Sequence, residues 1–422
     1  MIRKKLLTLT IMVLLSSFVA STVFSFPTKR RKDQFETTSG YLAMPLPYSF
    51  PGIGTGLFLI GYAGNLLETP TDVFGIVFGG DGEGAFLNLD ELFVIPEWTF
   101  LTFVTGRIAR YGQNVYSSRG MENEKDDFNI NVGEDSKFFD YAATLTHFER
   151  RLELTVGTSV FSGKVVEIRD SEGILIQKLE DPVEFDSANT RVELKIDLTD
   201  DFGDPREGIN IRLLQDNQPT INDGPEYGIL TGAITYYVPI LESSTVVFHY
   251  FRSEAHVSKV GNIDLESLKT QEGFYDCGGN PDCENATLNS ASNRLNANKY
   301  GTAKALGGAD RLRAYPQQRY VGAHAQMFGT ELRWNFNTSG SKLDWWVLQD
   351  VQQAIQGVIF WEEGSVVDDI DELGKIVRSS YGGGVRLVTQ SGAVYKFEGA
   401  TGDEGAQVIM FFEYPWAGLF GQ

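Results

Sequence analysis

From residue 40 onward the chain runs in segments of about ten residues in which apolar and polar side chains alternate. Val192, Leu194, Ile196 and Leu198 interleave with Arg191, Glu193, Lys195 and Asp197. Phe328, Thr330, Leu332, Trp334 and Phe336 interleave likewise with Gly329, Glu331, Arg333, Asn335 and Asn337. A period of two is the pattern of a strand with one apolar face. Such segments predict strands at 40–49, 55–66, 72–80, 84–95, 99–112, 138–149, 152–163, 189–200, 208–216, 225–239, 243–257, 328–337, 343–352, 379–390, 393–400 and 406–416. Every second connection is short: 68–71, 95–98, 149–151, 201–207, 239–242, 338–342 and 390–392. The others include long ones, at 113–137, 164–188, 258–327 and 353–378. An even strand number with short and long connections in alternation predicts an all-β fold, a 16-stranded antiparallel transmembrane β-barrel. With both termini periplasmic, the long loops lie outside the cell, and 258–327 is the sixth. A soluble exported β-sandwich alternates too and is the rival fold.

The first 25 residues stand apart. Arg3, Lys4 and Lys5 precede an apolar stretch from Leu6 to Phe24, the layout of an export signal. Val23 and Ser25 suit cleavage after Ser25; Val19 and Ser21 suit cleavage after Ser21. An uncleaved helical anchor is the alternative, and Thr8, Thr10, Ser16 and Ser17 inside the apolar stretch weigh against it. Beyond residue 25 no run approaches the ~20 apolar residues of a spanning helix. The predicted organisation is a signal peptide at 1–25, a periplasmic linker at 26–39 containing Lys29, Arg30, Arg31 and Lys32, and an outer-membrane barrel at 40–422.

Composition narrows the partners. With 36 Lys plus Arg against 56 Asp plus Glu the net charge is 36 − 56 = −20, and −23 once Arg3, Lys4 and Lys5 are removed. Such a surface repels phosphate backbones, so nucleic acid is excluded as a partner; outer-membrane lipid is expected. Acid gathers in the long loops, at Glu122, Glu124, Asp126 and Asp127 and at Asp368, Asp369, Asp371 and Glu372, as solvated faces do. Cys277 and Cys283 flank a turn-forming Gly-Gly-Asn-Pro in the longest loop and read as a local disulfide. The four histidines, His147, His249, His256 and His324, are scattered without metal-ligand spacing. Asp197, Asp200, Asp201 and Asp204 do not fit an EF-hand loop, and Pro205 argues for a tight turn. Gly80-Asp-Gly-Glu-Gly84 has no helix after it and reads as a hairpin rather than a phosphate cradle, and there is no Gly-x-Ser-x-Gly elbow. No catalytic constellation, metal site or cofactor site emerges, so a non-enzymatic role is expected.

Several motifs carry a family likeness. Leu312-Arg-Ala-Tyr-Pro-Gln-Gln-Arg-Tyr-Val-Gly322 followed by Gly329-Thr-Glu-Leu-Arg333 resembles the sixth loop and next strand of the BamA/TamA superfamily, the bacterial surface antigen family. Asp197-Leu-Thr-Asp200 with Pro205 and Gly208, Ser380-Tyr-Gly-Gly-Gly-Val-Arg386 with Ser391-Gly392, and Tyr41 to Gly56 with Pro45, Tyr48 and Gly54 resemble its other motifs in order. The resemblance implies that loop six folds into the lumen. It implies an anchor made by Arg313 and Tyr315 at the tip, with Glu331 on the following strand and Asp350 on the next as wall acids. An internal carboxylate needs a cation, and the guanidinium fork fits best. Ala314 departs from the family's Gly at the tip, Gln352 from its Gly after the wall acid, and the chain ends Phe420-Gly-Gln422 without a terminal aromatic. The stretch 26–39 is too short for a POTRA domain, so a POTRA-less member is expected. The implied function is insertion or translocation of proteins across the outer membrane with a separate periplasmic partner and client outer-membrane proteins. The alternative is a structural, lipid-handling or adhesion barrel.

Overall fold

The computed structural model describes residues 38–221, 223–271, 277–336, 341–345, 348–389, 394–412 and 415–416. The expected signal peptide at 1–25, and the linker at 26–39 except its last two residues, lie outside them.

Extended segments follow one another almost without interruption. The first half holds β1 (Gly40–Phe50), β2 (Gly54–Gly64), β3 (Asp72–Gly80), β4 (Glu83–Ile95), β5 (Thr99–Tyr116), β6 (Phe128–His147), β7 (Leu152–Arg169) and β8 (Leu175–Asp197). The second holds β9 (Gly208–Gln218), β10 (Glu226–Leu241), β11 (Ser244–Lys259), β12 (His324–Asn335), β13 (Ser341–Trp345), β14 (Leu348–Val367), β15 (Arg378–Thr389), β16 (Val394–Gly402) and β17 (Gly405–Phe412). Apart from β12 and β13, each pairs antiparallel with the next strand in the chain, and β17 returns to β1. β12 pairs with Gln356 to Val367 of β14 and β13 with Leu348 to Gln353 of the same strand, so β12 and β13 share one wall position. The result is a closed barrel of sixteen strands. Away from the β1–β17 contact the ladders pair neighbouring strands along most of their length, as strands that cross hydrocarbon require.

Alternation decides the two faces. Leu57, Leu59, Val77, Leu87, Phe248, Trp334, Ile359 and Phe397 point outward and are exposed, which makes the outer surface a lipid-facing apolar band. No helix among the described residues is long and apolar enough to cross a membrane.

Strand ends differ from the sequence reading on the long-loop side. β8 has 23 residues and β6 and β14 have 20 each, whereas a tilted strand needs only about 9–11 to cross. The ladders β5–β6 and β7–β8 therefore absorb most of the expected loops 113–137 and 164–188. The expected strand 343–352 and loop 353–378 are also redrawn: β13 ends at Trp345 and β14 continues through Val367. There inward Val358 and Phe360 are as apolar as outward Ile359 and Trp361, so the run from Val358 to Trp361 shows no alternation, and the inward Gln356 and Glu362 fall on either side of it.

The turn between β8 and β9 shows what the Asp-rich motif does. Asp197 Oδ1 accepts from the Thr199 amide at 3.1 Å, Asp201 Oδ1 from those of Gly203 and Asp204 at 2.7 Å each, and Asp200 Oδ1 from those of Arg206 and Glu207 at 2.9 Å. The carboxylates cap backbone donors. Gly208 closes the turn at φ 109°, and a Cβ there would stand 2.2 Å from the Leu198 carbonyl oxygen.

Candidate functional site: the loop-six tip and the barrel seam

Loop six begins with a short helix, Leu265–Gln271, and a longer one, Pro281–Tyr300. Asn280 caps the second, its side chain accepting from the Asp282 amide at 3.0 Å with Pro281 in the first turn. Cys277 and Cys283 are disulfide-bonded, tying the approach to the helix's first turn. Gly-Gly-Asn-Pro is thus a turn that hands over to a helix start, which the sequence reading took as a turn alone.

After Gly301 the chain runs as a closed tip. Leu306 bridges Tyr320, Gly307 N donates to Arg311 O at 2.9 Å, and Gly308 N donates to Tyr315 O at 2.8 Å. Gly307 has φ 105°, and a Cβ on it would meet the Pro316 carbonyl oxygen at 2.2 Å. The tip's one non-glycine residue with positive φ before Pro316 is Leu312, at 50°. The strained position is therefore beside Ala314, and its methyl group is accommodated there; its amide donates to Ser380 Oγ at 2.9 Å.

Arg313 is wholly buried against the inward faces of three strands. Its Nε lies 3.1 Å from Glu362 Oε1, and Nη1 lies 2.8 Å from Glu398 Oε2 and 2.9 Å from Glu331 Oε1. Its own amide donates to Glu362 Oε2 at 2.9 Å, and its guanidinium stacks 3.4 Å from the Phe360 ring centroid. Three further cations complete the cluster. Arg386 reaches Glu331 and Glu398, Arg333 reaches Glu331 at 2.9 Å, and Lys396 Nζ donates to Ala309 O at 2.8 Å beside Asp310. Burying this many charges is tolerable only because each is paired.

Tyr315 Oη donates to Ser379 O at 3.0 Å, and its ring meets Tyr320 edge-on at 5.2 Å. Arg319 binds Glu404 at 2.6 Å and the Asn123 carbonyl at 2.9 Å. Burial, and then the Glu404 carboxylate, push the Tyr320 phenol above its ordinary range, so it stays a donor to Glu404 Oε1 at 3.2 Å.

The acid that β14 offers Arg313 is Glu362. Asp350 stands twelve residues earlier on that strand, roughly 40 Å away at the usual rise. It lies next to Gln349, which pairs with Tyr41 of β1; the Asp350 side chain is outside the described residues. Glu362 and Glu398 were not singled out from sequence. Glu398 alternates correctly with Phe397 on β16, but nothing local announces its partner.

The seam is the second feature. β1 pairs with β2 along its whole length, Gly40 to Phe50, while among the described residues β1 meets β17 at a single register pair, Ser49 opposite Met410. Two side-chain bonds supplement it, Ser49 Oγ to Val408 O at 2.8 Å and Tyr395 Oη to Pro47 O at 2.7 Å. An extended residue's N–H and C=O point to the same side. The Pro47 carbonyl faces the seam, and so therefore do the missing N–H groups of Pro47 and, two residues earlier, Pro45. The last strand also stops short of the expected 416: β17 ends at Phe412, and Trp416 sits inside the lumen. Its ring stacks on His249 at 4.7 Å, and its Nε1 donates to Glu362 Oε1 at 3.0 Å. The alternation Val408, Met410, Phe412, Tyr414, Trp416 would turn Trp416 outward, yet its ring is buried.

No family model and no curated protein matches the chain. Solved structures with similar folds include BamA from Haemophilus ducreyi lacking POTRA domains 1–3, with TM-score 0.44 and 11% identity, over 89% of this chain and 69% of that one. CdiB from Escherichia coli gives TM-score 0.49 and 10% identity over 89% of this chain and 61% of that one. CdiB from Acinetobacter baumannii gives 0.48 and 11% over 90% and 59%. The chain thus spans about 60% of the length of the two CdiB chains it matches.

Proposed function

We propose that this chain is an outer-membrane barrel of the BamA/TamA superfamily that inserts or translocates proteins, working with a separate periplasmic partner on client outer-membrane proteins. Arg313 and Tyr315 anchor loop six to the wall in this reading, with Glu331, Glu362 and Glu398 as the receiving acids. The observation that carries it is the seam. Among the described residues the β1 edge is held by one register pair to β17 and one, Tyr41 to Gln349, to β14; so sparse a ladder parts at small cost, and a parted edge is a template for strand addition.

A second reading, a lipid-handling barrel without assembly activity, is favoured by Pro45 and Pro47, which blunt the β1 edge as a template. A deletion strain separates the two. The first reading expects reduced levels of some outer-membrane or secreted proteins. An unchanged outer-membrane and secreted proteome overturns it.

A further inference from the structure

The lumen is polar where loop six fills it and apolar on the opposite side. Successive strands present inward Ile60 on β2, Ile76 on β3, Phe86 on β4, Phe138 on β6 and Phe161 on β7, with Gly106 between them on β5. They line a cavity of about 1210 Å³. The charged residues bordering it, Arg107, Lys137 and Asp186, alternate with Gly106, Phe138 and Ser187 and so belong to the outer face. Barrel interiors are ordinarily polar. Ile60 and Ile76 are covered by neighbouring rings, whereas Phe86, Phe138 and Phe161 are half-buried and keep apolar surface toward the cavity; such surface costs free energy unless something apolar covers it.

Size and position select the occupant. The volume exceeds the roughly 300–1,000 Å³ of sites for drug-sized ligands. From β2 to β8 the cavity follows the wall for roughly 30 Å at the usual strand spacing, a shape for a long chain. It is continuous with the aromatic cluster of Tyr48, Phe58, Ile60 and Ile76, which packs on Phe411 and Phe412 of β17 and so backs the seam from within. Beyond the seam lies the bilayer. Below Pro47 the β1 edge has lost two of its donors, so the opening there resists being zipped by a ladder.

We infer that this half of the lumen is a binding site for the acyl chain of a bilayer phospholipid, admitted sideways through the β1–β17 seam. Neighbouring residues on each strand face opposite sides of the wall, so labelling distinguishes lumen from bilayer residue by residue. The full chain is reconstituted in phosphatidylethanolamine and phosphatidylglycerol vesicles containing a phospholipid with a diazirine at the acyl terminus, irradiated, and mapped by mass spectrometry. Label is expected on inward Phe86, Phe138 and Phe161 as well as on outward Leu59, Val77 and Leu87. Label confined to the outward set overturns the site. So does label on the inward set from a free diazirine fatty acid but not from the phospholipid. In Phe86→Glu, labelling of Phe138 and Phe161 is expected to fall at least tenfold relative to Leu59 and Val77; persistence overturns the site. If that variant does not fold, the inward-to-outward ratio in the unaltered protein decides alone.

Discussion

Replacing Arg313 by alanine is the sharpest perturbation of the loop-six seat. The buried cluster sets Arg313, Arg333, Arg386 and Lys396 against Glu331, Glu362, Glu398 and Asp310, a formal charge of 4 − 4 = 0. Arg313→Ala leaves one carboxylate without a counter-charge where no water reaches. Stranding a buried charge in this way costs about 3–5 kcal/mol, and the lost stack on Phe360 adds up to about 2 kcal/mol. The wall's own ladders involve none of these bonds, so the loss falls first on the seating of the tip. In detergent, the heat-modifiability midpoint is expected to drop; in planar bilayers, conductance is expected to rise as the tip leaves the lumen. Arg313→Met combined with Glu362→Gln removes one charge of each sign. That pair is expected to recover most of the heat stability while conductance stays raised. If Arg313→Ala changes neither midpoint nor conductance, the electrostatic account of the seat is wrong.

Three further outcomes follow from the geometry. Trp416→Ala removes the stack on His249 and the bond to Glu362, at a cost of about 3 kcal/mol; carboxypeptidase is expected to trim the terminus faster, and unchanged trimming would count against the buried position. Pro45→Ala with Pro47→Ala restores two donors to the β1 edge, so amide exchange on β17 at Phe412, opposite Pro47 in the Ser49–Met410 register, should slow; exchange at the original rate would mean the prolines do not limit the seam. Reducing the Cys277–Cys283 bridge releases a closure of about 2 kcal/mol that is local to loop six. Proteolysis around 277–283 should accelerate while the barrel's heat-modifiability midpoint stays put, and a lowered midpoint would contradict that locality.

The barrel was legible because hydrocarbon imposes a one-sided rule: every second residue that crosses it must be apolar. Where strands rise beyond the hydrocarbon that rule lapses, so 128–137 and 175–188 read as loops although most of their residues are paired. The helix Pro281–Tyr300 was invisible for a related reason, since its Asn- and Ser-rich sequence has no apolar stripe to give a period of 3.6. Arg313 and Glu331 were reached through a motif. Glu362 was hidden at the end of a stretch where inward Val358 and Phe360 are as apolar as outward Ile359 and Trp361, and Trp416 continues an outward alternation although its ring is buried. Both misses concern long-range placement, for which local pattern holds no signal.

One oxygen, Glu362 Oε1, accepts from both Arg313 Nε at 3.1 Å and Trp416 Nε1 at 3.0 Å. Two segments about a hundred residues apart in sequence thus hold the same carboxylate in one rotamer, and each finds it already ordered when the other is bound. Linkage makes this reciprocal: whatever factor the seated terminus adds to the affinity of loop six for its seat, loop six returns to the terminus. A molecule that draws the end of β17 outward to pair with β1 would therefore loosen loop six from the far side of the wall without touching it. Couplings of this kind commonly run to about 1–3 kcal/mol, enough for the seam and the loop to open as correlated rather than independent events.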